Sequence, residues 1–255
     1  WKTGLVCGLI ILQPNFSTAT ALAMTSFAIL LAAGMSWKHV AQLGALATAG
    51  LSLIMVVQPY RMLRIQAFLH PDDHARDTAL QSLQSLVALG NGGFLGVGLG
   101  RGTAKLMHLP EPYTDTIFAV LGEELGLLGT FAVLGLFLVL AWRGFSIAAR
   151  AQDPFARLLA VGLTTALCLW AALHAMVCTR LMPTTGLPMP YVSYGGSSML
   201  FSMISLGALM NLSRHADASF EPPSPARGAG SVQETLLPGS GTIRAASVGG
   251  RPAWR

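Results

Sequence analysis

Four carboxylates lie in the stretch LPEPYTDTIFAVLGEELG, residues 109–126: Glu111, Asp115, Glu123 and Glu124. Asp115 is the one placed for acid–base chemistry. It follows a Pro-Glu-Pro break and stands immediately before an apolar run, where a helix begins and the helix dipole favours a negative charge. Two readings fit it: an N-cap, for which Thr114 is a second candidate, and a general base at a membrane surface. Glu123 and Glu124 fall about two turns deeper. Ionisable side chains there are costly and face the protein interior or a water-filled cavity. The pattern predicts that one of them forms a buried structural ion pair, with Arg180 or a residue N-terminal to this sequence as the candidate partner.

Two further segments carry polar chemistry. ALGNGGFLGVGLGRGTAK packs seven glycines between Gly90 and Gly102 and brings in Arg101 and Lys105. Glycine-rich backbone beside cations suits an anionic phosphate. Tight packing of a re-entrant loop explains the same glycines, and neither nucleotide-binding glycine fingerprint is present. In GLPMPYVSYGGSS, residues 186–198, prolines and glycines surround Tyr191, Ser193, Tyr194, Ser197 and Ser198 without a charge. Such a loop offers hydroxyls and backbone amides to a sugar. A serine nucleophile would need an adjacent base. His174 is the nearest histidine in sequence, and it reads as a packed membrane residue. Cys7, Cys168 and Cys178 have no metal-ligand spacing and read as small hydrophobes.

The elements that position these residues are membrane helices. The chain has 255 residues, 53% of them hydrophobic and 11% charged, and a mean hydropathy of +0.57; soluble domains carry roughly a quarter charged residues. Residues 3–37, 39–60, 125–142, 158–179 and 181–213 hold no Asp, Glu, Lys or Arg. A spanning helix needs about 20 mainly apolar residues. With a turn at Gln13-Pro14-Asn15, helices are predicted over 3–12, 16–33, 40–57, 117–142, 158–182 and 197–212. The first is too short to cross a bilayer, and the chain begins at Trp1, so the sequence reads as a C-terminal fragment. From His215 onward Pro, Gly, Ser, Ala and Arg dominate, a composition that cannot build a core. The domain reading is a transmembrane domain over 1–214 and a disordered cytoplasmic tail over 215–255.

Lys and Arg in short loops mark the cytoplasmic side. Lys38, then Arg143, Arg150 and Arg157, then Arg214 fall on one side by span parity. The long loop at about 58–116 balances five basic residues, among them Arg61 and Arg64, against five acidic ones and is placed outside. The net charge of +5 then reflects orientation and attraction to anionic membrane lipid, not nucleic-acid binding. Parity puts the Gln13–Asn15 turn, the long loop and the segment 183–196 on the same outer face.

LQPNFSTA (12–19), QSLQSLVALGNGGFLGVGLG (81–100), LPEPYTDTIFAVLGEELGLLG (109–129) and LPMPYVSYGGSS (187–198), in that order, resemble the FtsW/RodA family, the SEDS proteins of bacterial shape, elongation, division and sporulation. GEELG, GNGG and NFST look nearer to FtsW than to RodA. The resemblance implies an all-α polytopic membrane protein whose six or so helices match the last six of a ten-helix bundle with a large extracytoplasmic loop; the first four are missing from this chain. It implies peptidoglycan glycosyltransferase activity: lipid II, an undecaprenyl-pyrophosphate-linked disaccharide, is polymerised into glycan strands alongside a class B penicillin-binding protein and other divisome or elongasome membrane proteins. The location implied is the bacterial inner membrane, with an extracytoplasmic active face.

The family's catalytic Asp falls on Asp115. The substrate-binding set is Arg61, Arg64, Arg101, Lys105, Glu111, Tyr191, Ser193, Tyr194 and Ser197, the cations standing near the pyrophosphate leaving group. A divalent cation, Mg or Mn, is left open as a cofactor, and no metal ligands are assigned. The chain departs from the family at Asn15 (often Asp), His174 (usually Asn), Arg180 (usually Gly) and Pro112-Tyr113 (usually Ala-His). Two other classes remain as alternatives: a lipid II flippase, because broken intramembrane segments also mark transporters, and a non-catalytic divisome scaffold.

Overall fold

The computed structural model describes residues 2–12, 16–57, 66, 68–69, 78–104 and 113–218. These are all helical or irregular. The elements are α1 (Lys2–Leu12), α2 (Phe16–Ala32), α3 (Trp37–Val57), α4 (Thr78–Gly92), α5 (Ile117–Arg150), α6 (Pro154–Cys178) and α7 (Gly196–Ala218). Among the described residues three helices are long and apolar enough to cross a membrane: α5, α6 and α7 as far as Arg214. In α2 the apolar stretch Ser17–Ala32 is shorter.

Helix α6 is the centre of the bundle, packing against α2, α4, α5 and α7. Its start is fixed by Asp153, whose carboxylate accepts the Ala156 N–H at 3.0 Å, followed by Pro154 in the first turn; both suit the free N–H groups of a helix end. Its C-terminus closes with two bonds, Arg180 N–H to Val177 O at 3.0 Å and Leu181 N–H to Met176 O at 2.8 Å. This cap requires a left-handed residue, usually glycine. Arg180 fills the position at φ 56°, whereas the same cap on α2 uses Gly34 at φ 83°. The helix therefore stops at Cys178, short of the 158–182 read from hydropathy, while α7 runs past the expected 212 to Ala218.

Two features of the sequence reading are corrected. The long polar segment contains a helix, α4, whose buried face is made of small residues, Ser82, Ser85, Ala88 and Gly92, while Leu80, Leu86 and Val87 are exposed. Secondly, α5 is not one continuous helix. Gly126 has φ 68° and ψ −166°, a region essentially confined to glycine. At 34 residues, an unbroken α5 would measure about 51 Å, against a hydrocarbon core of about 30 Å. Residues 127–150 alone are about 36 Å. Glu123 and Glu124 thus sit at the end of a short helix beside the break, not deep within a span.

The core around the break joins Phe118, Ala119 and Val120 of α5 to Ala88 of α4, Ala171, Ala175 and Cys178 of α6, and Met189. A second cluster brings Ala21 of α2 against Leu173 and Leu187. The N-terminal part of α2 therefore borders the irregular segment after α6. Gln13–Asn15, the residues 58–65, Lys105, Glu111 and the predicted tail from 219 lie outside the described residues.

Candidate active site

The break in α5 and the glycine-rich segment after α4 satisfy each other. A broken helix frees carbonyls on one side and N–H groups on the other, and in an apolar setting each must find a partner. Glu123 O accepts from Val97 N–H and Glu124 O from Gly98 N–H, both at 3.0 Å; Leu127 N–H donates to Gly93 O at 2.9 Å and Leu128 N–H to Phe94 O at 3.2 Å. Such pairing brings backbone against backbone. A Cβ on Gly96 would meet Glu124 O, one on Gly126 would meet Gly96 N, and one on Gly92 would meet Gly122 O.

The glutamate side chains complete this clamp. Glu123, 1% exposed, accepts from Thr103 N–H and Thr103 Oγ–H at 3.0 Å each and from Ala104 N–H at 3.1 Å. Glu124 accepts from Gly100 N–H at 3.0 Å. The loop amides read from sequence as a phosphate cradle are thus occupied by the chain's own carboxylates. Arg180, a candidate partner for one of the two glutamates, instead donates to the Phe68 carbonyl at 3.3 Å. Arg101 stands on this clamped loop, exposed.

Asp115 lies on the three-residue approach to α5, and the segment after α6 straps that approach in place. Tyr194 N–H donates to Tyr113 O at 2.8 Å. Ser193, buried, donates its hydroxyl to Thr114 O at 2.9 Å and accepts from Met189 N–H at 2.7 Å. On the other side a Cβ built on Gly186, at φ 65°, would lie 3.4 Å from Asp115 Oδ2. The Cys178 thiol faces Asp115 O at 3.9 Å. Asp115 as a residue is partly exposed.

The remaining predicted residues divide. Tyr191, at φ 65°, turns inward, donates its hydroxyl to Ser202 O at 2.9 Å and packs on Phe137; burial pushes its phenol above the ordinary value, and the Cys168 charge adds to this. Tyr194 is 85% exposed and Ser197 is exposed at the start of α7. Arg61, Arg64, Lys105 and Glu111 lie outside the described residues. Among those described, no three His, Cys, Asp or Glu side chains cluster as metal ligands. Beside the strap, between α4, α5 and α6, lies a cavity of about 470 Å³ lined by Leu89, Phe118, Phe131, Leu134, Met176 and Leu181 among others. Thr130 and Thr179 also line it but spend their hydroxyls on carbonyls of their own helices. Its character is hydrocarbon-like.

A family model of cell cycle proteins, FtsW/RodA/SpoVE, matches residues 3–218. The chain belongs to the FtsW/RodA/SpoVE family. Within it the resemblance is nearer to FtsW than to RodA. The chain is 41% identical over 209 residues to a probable peptidoglycan glycosyltransferase FtsW of Trichlorobacter lovleyi, covering 82% of this chain and 55% of that protein. It is 38% identical over 208 residues to the stage V sporulation protein E of Bacillus subtilis, covering 82% and 57%. The chain thus spans little more than half the length of these relatives.

Two solved structures share the fold. One, described as the structural coordination of polymerization and crosslinking by a peptidoglycan synthase complex, aligns with a TM-score of 0.67 at 28% identity over 84% of this chain and 60% of the other. A crystal structure of an Asp-to-Ala variant of the rod shape determining protein RodA from Thermus thermophilus aligns at 0.55 and 25% identity, over 84% and 55%. Sequence reasoning did not find the role of Gly186 beside Asp115, or the bond between His174 Nδ1 and Leu187 O at 2.7 Å. The signal available for the second was a histidine within the charge-free run 158–179.

Proposed function

We propose that this chain carries the catalytic part of a peptidoglycan glycosyltransferase that polymerises lipid II, with Asp115 as general base. The observation that carries the reading is the placement of Asp115: a partly exposed acidic residue on a segment strapped through Tyr113 and Thr114 to Tyr194 and Ser193, in a chain about 40% identical to proteins named probable peptidoglycan glycosyltransferase FtsW. A base must be held in place to act efficiently.

In the reaction Asp115 takes the proton from the acceptor sugar hydroxyl as its oxygen attacks the anomeric carbon of a second lipid-linked saccharide. The new glycosidic C–O bond forms, the C–O bond to the pyrophosphate breaks, and undecaprenyl pyrophosphate leaves with the bonding pair. Arg101, held by the glutamate clamp, stands to meet that charge, with Arg61, Arg64 and Lys105 as further cations. Tyr194 and Ser197 offer contacts to the saccharide. Ser193 and Tyr191 act on the chain itself, as struts. The apolar cavity beside the strap offers surface to the isoprenoid carrier.

The setting proposed is the bacterial inner membrane, about six spans of a longer bundle, with Asp115 on the extracytoplasmic face and a class B penicillin-binding protein as crosslinking partner. The likeness to a peptidoglycan synthase complex supports that partner. Asp115→Ala in the full-length protein tests the reading: polymerisation of lipid II in detergent, where transport plays no part, is expected to vanish. Polymerisation at the parent rate would remove the enzyme reading and favour a flippase or scaffold.

A further inference from the structure

His174 is among the largest fully buried side chains of the chain, at 1% exposure. Its Nδ1 lies 2.7 Å from the carbonyl oxygen of Leu187. A carbonyl only accepts, so Nδ1 carries the proton and donates it. Nε2 is then a bare acceptor, and it is buried with no hydrogen-bond partner among the described residues. An unsatisfied buried polar atom is destabilising, a cost that Leu or Phe at this place would not carry. What the imidazole supplies in return is the bond to Leu187.

That bond ends one residue from the Asp115 carboxylate. Leu187 is 3% exposed and packs on Ala21 and Leu173. Gly186, before it, lies in the left-handed region with Asp115 Oδ2 3.4 Å from the place of a Cβ. Cys178, one turn further along α6, faces the Asp115 carbonyl. The strap is thus pinned twice: Ser193 ties its far end to Thr114, and His174 ties its near end to α6.

We propose that His174 is a positioning residue: by donating Nδ1–H to Leu187 it fixes the Gly186 backbone that flanks Asp115, and so sets where the carboxylate stands. The inference rests on Asp115 being the base. Loss of the bond leaves substrate binding intact and displaces the base, which lowers kcat while KM holds; a misplacement of about 1 Å costs on the order of 100-fold.

The test uses the full-length protein polymerising lipid II, with His174→Asn, His174→Gln, His174→Phe and Asp115→Asn beside the parent, and thermal unfolding of each. The amide nitrogen of Asn sits where Nδ1 sits, that of Gln where Nε2 sits, and Phe has no donor. The expected result is an Asn variant within about threefold of the parent, and Gln and Phe variants lowered by about 10- to 100-fold in kcat at unchanged KM. Parent-like turnover by Gln and Phe overturns the proposal, as does an Asn variant as slow as Phe. Failure of both Gln and Phe to fold beside a folded Asn variant makes the contact structural only and also overturns it. An Asp115→Asn variant that polymerises normally sinks the reading of the base instead.

Discussion

Glu123 Oε2 accepts the amide N–H of Ala104 at 3.1 Å, joining the end of a broken helix to a loop 19 residues before it in sequence. With the two bonds from Thr103, a single buried carboxylate organises the loop that carries Arg101. Truncation would leave the buried Ala104 N–H and the part-buried Thr103 donors without that acceptor. Glu123→Ala is expected to destabilise the protein by about 3 kcal/mol or more, since hydrogen bonds to a charged group are each worth about 1.5–3 kcal/mol. Glu123→Gln, which keeps one acceptor oxygen, should lose less. Thermal unfolding of the purified variants in detergent gives the order; an Ala variant as stable as Gln contradicts it.

The close approach at the helix break makes a second prediction. Gly126→Ala forces a side chain into a conformation costing about 1–3 kcal/mol and into the backbone of Gly96. It should unfold at lower temperature or fail to accumulate. Gly135→Ala, where nothing lies within 4 Å of the added Cβ, is the internal control and should gain up to about 1 kcal/mol. Equal effects at both positions would mean the break is not there.

The cap of α6 yields a third. Arg180 holds φ 56° at a position that suits glycine. Arg180→Ala keeps the backbone strain and loses the Phe68 contact; Arg180→Gly loses the contact but relieves the strain. The Gly variant is expected to be more stable than the Ala variant by about 1 kcal/mol, read from unfolding midpoints.

A fourth concerns alkaline pH. Burial raises the Tyr191 phenol above its unfolded value of 10.0. The neutral phenol is then favoured in the folded state, so its contribution is fully present below pH 10 and is lost as pH rises above it through the folded value. Stability measured from pH 9 to 12 should fall less steeply in Tyr191→Phe than in the parent. That variant should itself cost about 1 kcal/mol at neutral pH, for the lost bond to Ser202.

The helices and the candidate carboxylate were legible in sequence for plain reasons. Charge-free runs locate α2, α3, α6 and α7 to within a few residues, and Asp115 stands out because it follows a proline break and begins an apolar helix. Helix α4 was hidden because its fully buried face is serine, alanine and glycine while Leu80, Leu86 and Val87 are exposed, the reverse of the pattern hydropathy looks for. The break at Gly126 was hidden because glycine is tolerated within membrane helices; only the backbone of residues 93–98, distant in sequence, makes the break affordable. Ser193 and Tyr191 read as sugar ligands because a hydroxyl's partner cannot be seen without the third dimension, and both are turned to carbonyls of the chain.

The central claim is that Asp115 moves the proton. Asp115→Asn keeps the side chain's size and its place beside Gly186 but cannot act as a base. With full-length protein and lipid II in detergent, the account predicts a loss of about 10²–10⁴-fold in polymerisation rate, with lipid II binding and unfolding temperature unchanged. Polymerisation by Asp115→Asn within a few-fold of the parent would contradict it.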